Sequence, residues 1–124
     1  MTLFILGYPG SMGGANTECW HTVKLWRQAG WDVHLIPTWG RDDRWREELD
    51  AIGAVTHHVS AADLEKVPGL AGSVVVAMCN GNLWGVYGRL RKLGCRVVWV
   101  NCMTFMFPDE RQAAQEHGLA DAYV

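Results

Sequence analysis

Short apolar runs alternate with amphipathic segments along this chain, and turn residues stand between them. Continuous apolar runs rich in Val, Ile and Leu are typical of strands that a parallel sheet buries on both faces. The clearest run covers residues 73–78 and contains three consecutive Val residues. The same pattern predicts six strands, at residues 2–6, 31–36, 54–59, 73–78, 96–100 and 122–124.

Five helices are predicted in the intervals between these strands. The first covers residues 15–29, where apolar residues recur three or four apart, and Gly30 ends it. The second begins at a cap formed by Asp42 or Asp43 and ends at Gly53. A short third helix follows Ser60, because the spacing of Ser60 and Asp63 resembles a capping box.

The fourth helix is predicted to begin at a cap formed by Asn80 or Asn82 and to end at Gly94. Its apolar face consists of Leu83, Tyr87, Leu90 and Leu93. The fifth helix begins at Pro108 and ends near His117.

Strands that alternate with helices in this way predict an α/β fold with a doubly wound, mainly parallel, Rossmann-like sheet in a single domain. We expect the strand order 3-2-1-4-5-6. In such a sheet, ligands bind beyond the carboxyl ends of the strands at the point where the order reverses, here between the first and fourth strands.

Composition narrows the classes of function. Apolar residues make up 49% of the 124 residues and charged residues 19%, which excludes intrinsic disorder. The formal net charge of -2 does not favour binding to nucleic acid. Residues 1–6 lack the basic start and the length of a secretory signal, and there is no apolar run of membrane-spanning length, so a cytoplasmic location is expected.

The four cysteines, Cys19, Cys79, Cys95 and Cys102, match neither a zinc-ligand spacing nor a disulfide scaffold. We predict that they are buried thiols, and we expect no metal site. His57 and His58 are neighbours at the end of the third strand. Neighbouring side chains on a strand point to opposite faces, so these two histidines are expected to fill separate surface or core positions.

The segment after the first strand, residues 7–14, is rich in glycine and leads into the first helix. Free N–H groups at a helix N-terminus favour a phosphate, and glycines allow its close approach to the backbone. Gly7, Gly10 and Gly13 also form a G-x-x-G-x-x-G pattern similar to that of dinucleotide-binding reductases. Both features predict a ligand that carries a diphosphate.

The sequence Gly13-Gly14-Ala15, the helix end at Ala29-Gly30 and the following strand Trp31-Asp32-Val33-His34-Leu35-Ile36 resemble a known family. This is the GT-B glycosyltransferases, and within it the N-terminal domain of the retaining group that includes sucrose and glycogen synthases. The resemblance implies that Gly13 and Gly14 lie against the diphosphate of a nucleotide-sugar donor, which is a substrate, so no further cofactor is expected.

In that family the N-terminal domain mainly binds the acceptor, a sugar or glycan, and a second, C-terminal domain holds the nucleotide. The resemblance therefore implies that residues 1–124 are the N-terminal half of such an enzyme, inactive without the nucleotide-sugar domain. Many members carry a His after the fourth strand, where this chain has Cys79-Asn80-Gly81-Asn82. No catalytic residue is assigned for this reason.

Polar and aromatic residues near the predicted strand ends are candidates for the cleft and the acceptor site. Hydroxyl and amide groups can bind sugar hydroxyls, and an aromatic ring can stack on a sugar ring. The candidates are Ser11, Trp39, Asn80, Asn82, Trp84, Asn101 and Thr104. Asn80 and Asn82 serve equally well as helix caps.

Of the seven Trp residues, Trp26, Trp45 and Trp99 lie at periodic apolar positions and are predicted to pack in the core. The run 103–107 contains four large apolar side chains and no charge. In an isolated half-enzyme this run would be exposed and would promote self-association, whereas a loop folded onto the core would not.

Two alternatives remain open. The first is an NAD(P)-binding module of an oxidoreductase, which the pattern supports more weakly. Residues 37–40 lack the acid that binds the ribose, and Arg41 is suited only to the 2′-phosphate of NADP. The second alternative is a regulatory or scaffolding α/β domain without enzymatic activity.

Overall fold

A computed structural model describes residues 1–9, 14–37, 44–78, 84–100 and 121–123 of the chain. Their strands form one parallel sheet in the order β3-β2-β1-β4-β5-β6, which is the predicted order. The strands are β1 (Thr2–Leu6), β2 (Asp32–Ile36), β3 (Val55–Thr56), β4 (Val74–Met78), β5 (Arg96–Val100) and β6 (Ala122–Tyr123). The α/β prediction is confirmed.

The helices between these strands are α1 (Gly14–Gln28), α2 (Arg46–Ala51), a 3₁₀ helix (Ala61–Lys66) and α3 (Trp84–Lys92). The four central strands have five residues each, whereas β3 and β6 at the edges have two each. The predicted fifth helix and the apolar run 103–107 lie outside the described residues.

Alternating side chains of the central strands point to opposite faces of the sheet, and each face carries its own core. The α3-side core contains Phe4 and Leu6 of β1 together with Leu90 of α3. The α1-side core contains Leu3 and Ile5 of β1 together with Val23 of α1. Because β1, β4 and β5 supply apolar side chains to both cores, each contains a continuous apolar run rather than an alternating one.

The three α-helices in the described residues end in the same way, and the glycines at these ends were predicted from the sequence. At the end of α1, the N–H of Gly30 donates to the carbonyl of Arg27 and the N–H of Trp31 donates to that of Trp26. This pair of bonds is a Schellman motif, whose left-handed residue is most easily a glycine, and Gly30 has a φ of 87°. Gly53 after α2 and Gly94 after α3 make the equivalent bonds. Ala29, predicted as the last residue of the first helix, lies beyond its end and is exposed.

The predicted third strand, residues 54–59, is too long. At its start, the N–H of Ala54 donates to the carbonyl of Leu49 and completes the end of α2. At its other end, the N–H of Val59 turns back to the carbonyl of His57. Only Val55–Thr56 is left to pair with β2.

The predicted cap of the second helix is wrong. This helix begins at Arg46 and Trp45 occupies the N-cap position, so neither Asp42 nor Asp43 caps it. The ring of Trp45 lies 5.0 Å from that of Trp20 on α1, and this contact anchors the turn that precedes the helix.

The helix after Ser60 exists, but it is a 3₁₀ helix with a kink at Asp63. The hydroxyl of Ser60 donates to the carboxylate of Asp63 at 3.1 Å and does not bond a backbone N–H, so the predicted capping box does not form. Lys66 lies 3.1 Å from the same carboxylate. The Ser60 hydroxyl and the Asp63 carboxylate are therefore engaged with side chains, whereas a capping box would bond both of them to backbone N–H groups.

The predicted burial of several side chains is confirmed. Cys19, Cys95 and Trp99 are buried, and the Sγ of Cys95 donates to the carbonyl of Leu70 at 3.2 Å. Trp26 and Trp45 are half-buried and pack against the α1-side core. Cys79 and Cys102 lie outside the described residues.

Candidate functional site

The point where the strand order reverses lies between β1 and β4. From β1 the chain builds β2 and β3 on one side, and it then crosses the sheet to form β4 on the other side of β1. Leu6 at the end of β1 is opposite Ala77 near the end of β4. In a doubly wound sheet the crevice beyond these carboxyl ends is the ligand site.

Gly7 is the first residue beyond β1 at this edge. Its φ is 146°, a conformation that L side chains rarely adopt, and its N–H donates to the carbonyl of Ile36 at 3.1 Å. A Cβ at this position would meet no described atom within 4 Å. The conformation of the backbone turn therefore requires a glycine at this position.

Helix α1 begins at Gly14, seven residues after Gly7, and runs for 15 residues. The chain enters α1 from the carboxyl end of β1. The positive end of the helix dipole therefore lies on the side of the sheet where the strands have their carboxyl ends, which we call the ligand-binding edge. The first turn has the sequence Gly-Ala-Asn-Thr and contains no carboxylate that would repel an anion. This helix start is suited to a phosphate or diphosphate.

The structure places two of the predicted site residues. Gly14 is the first residue of α1, and Trp84 is the first residue of α3. These helices follow β1 and β4, which are neighbours in the sheet, so both helix starts lie beside the crevice. Gly13 and the remaining cleft candidates lie outside the described residues: Ser11, Trp39, Asn80, Asn82, Asn101 and Thr104.

The carboxyl end of β2 carries no acid. The strand ends at the buried Ile36, and the buried Pro37 follows it. Asp32 lies at the opposite, amino end of the strand, where its carboxylate is 3.5 Å from Nη1 of Arg27. An acid that bonds the ribose hydroxyls of a dinucleotide is therefore missing from β2.

The structure reveals a pair of histidines that the sequence analysis did not connect. Nδ1 of His34 on β2 lies 2.7 Å from Nε2 of His57, which directly follows β3. The two ring planes differ by 7° and the ring centroids are 5.0 Å apart. The ring centroids are about as far apart as an N···N distance of 2.7 Å permits. The two rings therefore lie edge to edge in nearly one plane. The contact is a direct N–H···N hydrogen bond and not a face-to-face stack.

Sheet register explains the pair. His34 is opposite Val55, and His57 lies two residues beyond Val55 on the same face. The ring of Phe4 on β1 lies 4.9 Å from the His34 ring and 6.5 Å from the His57 ring. His57 is half-buried and His58 is exposed, as expected for neighbours that point to opposite sides. The parallel pairing of the second and third strands, which the sequence predicts, was the signal from which this contact could have been inferred.

Both imidazoles are held in the neutral form. Burial lowers the pKa of His34 below its ordinary value of 6.5, and the Asp32 carboxylate partly opposes this shift. Burial also lowers the pKa of His57, and a positive charge on His34 lowers it further. Each histidine therefore binds a proton less readily in the folded chain than in an unfolded one.

Within the described part of the chain, no three His, Cys, Asp or Glu side chains gather in a geometry suited to a metal ion. In the same residues, no helix has the length and apolar character needed to cross a membrane.

Comparison with protein-family models, curated proteins and solved structures gave no match to this chain.

Proposed function

We propose that this chain binds the diphosphate of a nucleotide sugar through residues 7–14, as the acceptor-binding N-terminal domain of a GT-B glycosyltransferase. The observation that carries the proposal is the start of α1 at Gly14, beside the crevice between β1 and β4, after a glycine-rich segment. Gly13 and Gly14 would lie against the donor diphosphate. The positive end of the helix dipole favours its negative charge.

The details of α1 and β2 favour a nucleotide sugar over a dinucleotide. Helix α1 spans 15 residues, longer than the helix of about three turns expected in the reductases, and it ends in a Schellman motif directly before Trp31-Asp32-Val33. The end of β2 offers no acid for a ribose. Both features agree with the GT-B resemblance.

An NADP-binding oxidoreductase module is the second candidate. The positive φ of Gly7, the first glycine of the G-x-x-G-x-x-G pattern, supports a tight turn of the kind that dinucleotide-binding loops make. Arg41 would then contact the 2′-phosphate. A domain that binds none of these ligands is the third.

On this proposal, the polar and aromatic candidates around the crevice bind the acceptor sugar or glycan. The nucleotide itself is held by a second domain, as the GT-B resemblance implies, so residues 1–124 by themselves bind the donor weakly and do not transfer sugar. Transfer requires both domains to close on the donor.

The test uses the full 124-residue chain and the fluorescence of its seven Trp residues, titrated with UDP-glucose, GDP-mannose and NADPH. The decisive variant is Gly14→Asp, which adds a carboxylate at the start of α1. An acid there stabilises the helix by about 0.3–1 kcal/mol, so weaker binding is not explained by unfolding. The matched control is Ala71→Asp, which adds the same charge at an exposed turn at the opposite edge of the sheet.

We expect at least one nucleotide sugar to bind more tightly than NADPH, its affinity to fall about tenfold or more in Gly14→Asp, and Ala71→Asp to bind like the parent chain. This loss corresponds to about 1.4 kcal/mol. Tighter binding of NADPH would replace the proposal with the oxidoreductase module. Binding of none of the three ligands, or equal binding by both variants, would overturn it.

A further inference from the structure

We propose that the His34–His57 hydrogen bond is a pH-operated latch that holds residues 57–60 against β2, at the ligand-binding edge of the sheet, and releases them when both imidazoles are protonated. The hydrogen-bond geometry and the shortness of β3 carry this inference. It is independent of the ligand assigned above.

The proton count of the pair explains the switch. Two neutral imidazoles share one inward N–H, which the other ring accepts. A first added proton binds to an outward nitrogen of the donor ring, so the hydrogen bond survives and becomes charge-assisted. A second proton has to bind to the accepting nitrogen. Two N–H groups would then point at each other from nitrogens that are 2.7 Å apart, so the hydrogen bond breaks.

Few other contacts hold this segment to the sheet. Strand β3 pairs with β2 through two residues only, His34 with Val55 and Leu35 with Thr56. One further backbone bond follows, from the N–H of His57 to the carbonyl of Leu35 at 2.8 Å. Val55 is 45% exposed and adds little apolar burial, while Val59 packs, partly buried, against the α3-side core. Loss of the imidazole bond therefore removes a large share of the hydrogen bonds that attach the segment to β2 and leaves the Val59 contact.

Among the described residues, one charged group near the pair favours protonation, and burial outweighs its effect. On β2, Asp32 raises the pKa of His34 but also interacts with Arg27 of α1. On the 3₁₀ helix, Asp63 pairs with Lys66, and Glu65 lies 4.0 Å from Arg89 of α3. On β1, the neighbour of both rings is the apolar Phe4. Among the described residues, Asp32 is the one carboxylate that acts on the pair.

The direction of the pH dependence follows from the lowered pKa values. Both histidines have a pKa below 6.5 in the folded chain, so below pH 6.5 the unfolded or released segment binds more protons than the latched one. The latch is fully effective above pH 6.5. It weakens as the pH falls through 6.5 toward the folded-state pKa values.

The test is amide hydrogen exchange in the full chain at pH 7.5 and pH 5.0, corrected for the intrinsic exchange rates. We expect the protection of the His57 amide to fall about tenfold or more at the lower pH, while amides in β1 and β4 keep theirs. His34→Gln removes one titrating partner and should reduce this pH dependence to the part that comes from the burial of His57. The matched control His58→Gln alters the exposed neighbour and should retain the full pH dependence. Equal protection at both pH values, or an undiminished pH dependence in His34→Gln, would refute the latch.

A measurement on the unsubstituted chain covers the case in which His34→Gln does not fold. Long-range ¹H–¹⁵N spectra of the imidazoles report the protonation of each ring nitrogen. We expect one inward nitrogen to be protonated at pH 7.5 and the second proton to bind well below pH 6.5. Two histidines that titrate independently near 6.5 would overturn the proposal.

Discussion

Arg27 joins three segments at the amino-terminal edge of the sheet. Its Nε donates to the carbonyl of Ile52 at 2.7 Å, and its Nη1 donates to the carbonyl of Trp31 at 2.6 Å. A Cβ added to Gly53 would lie 2.7 Å from Nη2 of the same guanidinium. The substitution Gly53→Ala therefore has to displace Arg27, a long side chain that its hydrogen bonds hold in place.

A second glycine isolates the effect of this displacement. Gly53 has a φ of 75° and Gly72 a φ of 74°, but a Cβ on Gly72 would meet no described atom within 4 Å. Alanine in the left-handed region costs about 1–2 kcal/mol at either position. Reduced freedom of the unfolded chain offsets about 0.4–1 kcal/mol of that. We expect Gly72→Ala to lower the free energy of unfolding by roughly 1 kcal/mol on this basis.

Gly53→Ala carries an additional cost at Arg27. A hydrogen bond from a charged group contributes about 1.5–3 kcal/mol, and the Arg27 side chain is 27% exposed, so water recovers part of any loss. We expect the free energy of unfolding to fall by about 1–2 kcal/mol more in Gly53→Ala than in Gly72→Ala.

Equilibrium urea unfolding measures these differences, and a double-mutant cycle assigns them. In an Arg27→Met background there is no guanidinium to displace, so Gly53→Ala and Gly72→Ala should lower the free energy of unfolding about equally. Single variants that agree within about 0.5 kcal/mol, or a difference that persists without Arg27, would show that displacing the guanidinium has no energetic cost.

Other substitutions test the helices and the core. Gly88 is exposed on α3, and a Cβ there would meet no described atom within 4 Å. Gly88→Ala should therefore raise the free energy of unfolding by about 0.5–1 kcal/mol, and an unchanged urea midpoint would contradict this. Leu35 is fully buried in the α1-side core, and Leu35→Ala should lower that free energy by about 2–5 kcal/mol. Leu25 is 64% exposed on α1, so Leu25→Ala should change it by no more than about 0.5 kcal/mol, and similar losses at both sites would argue against the assigned core. Cys19 and Cys95 are buried, so peptide mapping after treatment with N-ethylmaleimide should find them labelled only in denaturant, and rapid labelling of the native chain would show that these thiols are accessible.

The central sheet could be predicted because the apolar pattern within a buried strand indicates that strand without information on its neighbours. β1 and β5 match their predicted bounds, and β4 differs by one residue, since burial on both faces produces a continuous apolar run. The helix ends could be predicted as well, because a glycine in the left-handed conformation is a local requirement of the Schellman motif.

Features that depend on residues distant in the sequence could not be predicted in this way. His34 and His57 are 23 residues apart, and only the register of β2 and β3 brings them together. The start of α2 depends on the contact of Trp45 with Trp20 on another helix, so local capping residues gave the wrong position. The end of β3 depends on where its backbone stops pairing with β2. The apolar pattern of β3 alone carries no information on that point.

The candidate site was predictable in its position but not in its contacts. Residues 7–14 lead from β1 to a helix start at the point where the strand order reverses, and this position follows from the order of elements alone. Which hydroxyl and amide groups meet a ligand depends on loop conformations, and periodicity carries no information on those.

The most direct measurement of the central claim is a residue-resolved ¹H–¹⁵N titration of the 124-residue chain with UDP, which supplies the nucleoside diphosphate without the glycosyl group of the donor. If the diphosphate binds at the start of α1, the largest amide shift changes should occur in residues 7–14 and in the first turn of α1. Amides at the opposite edge, around Gly72, should shift little. Saturating UDP that leaves residues 7–14 unperturbed, or that shifts mainly amides at the opposite edge, would contradict the proposed site.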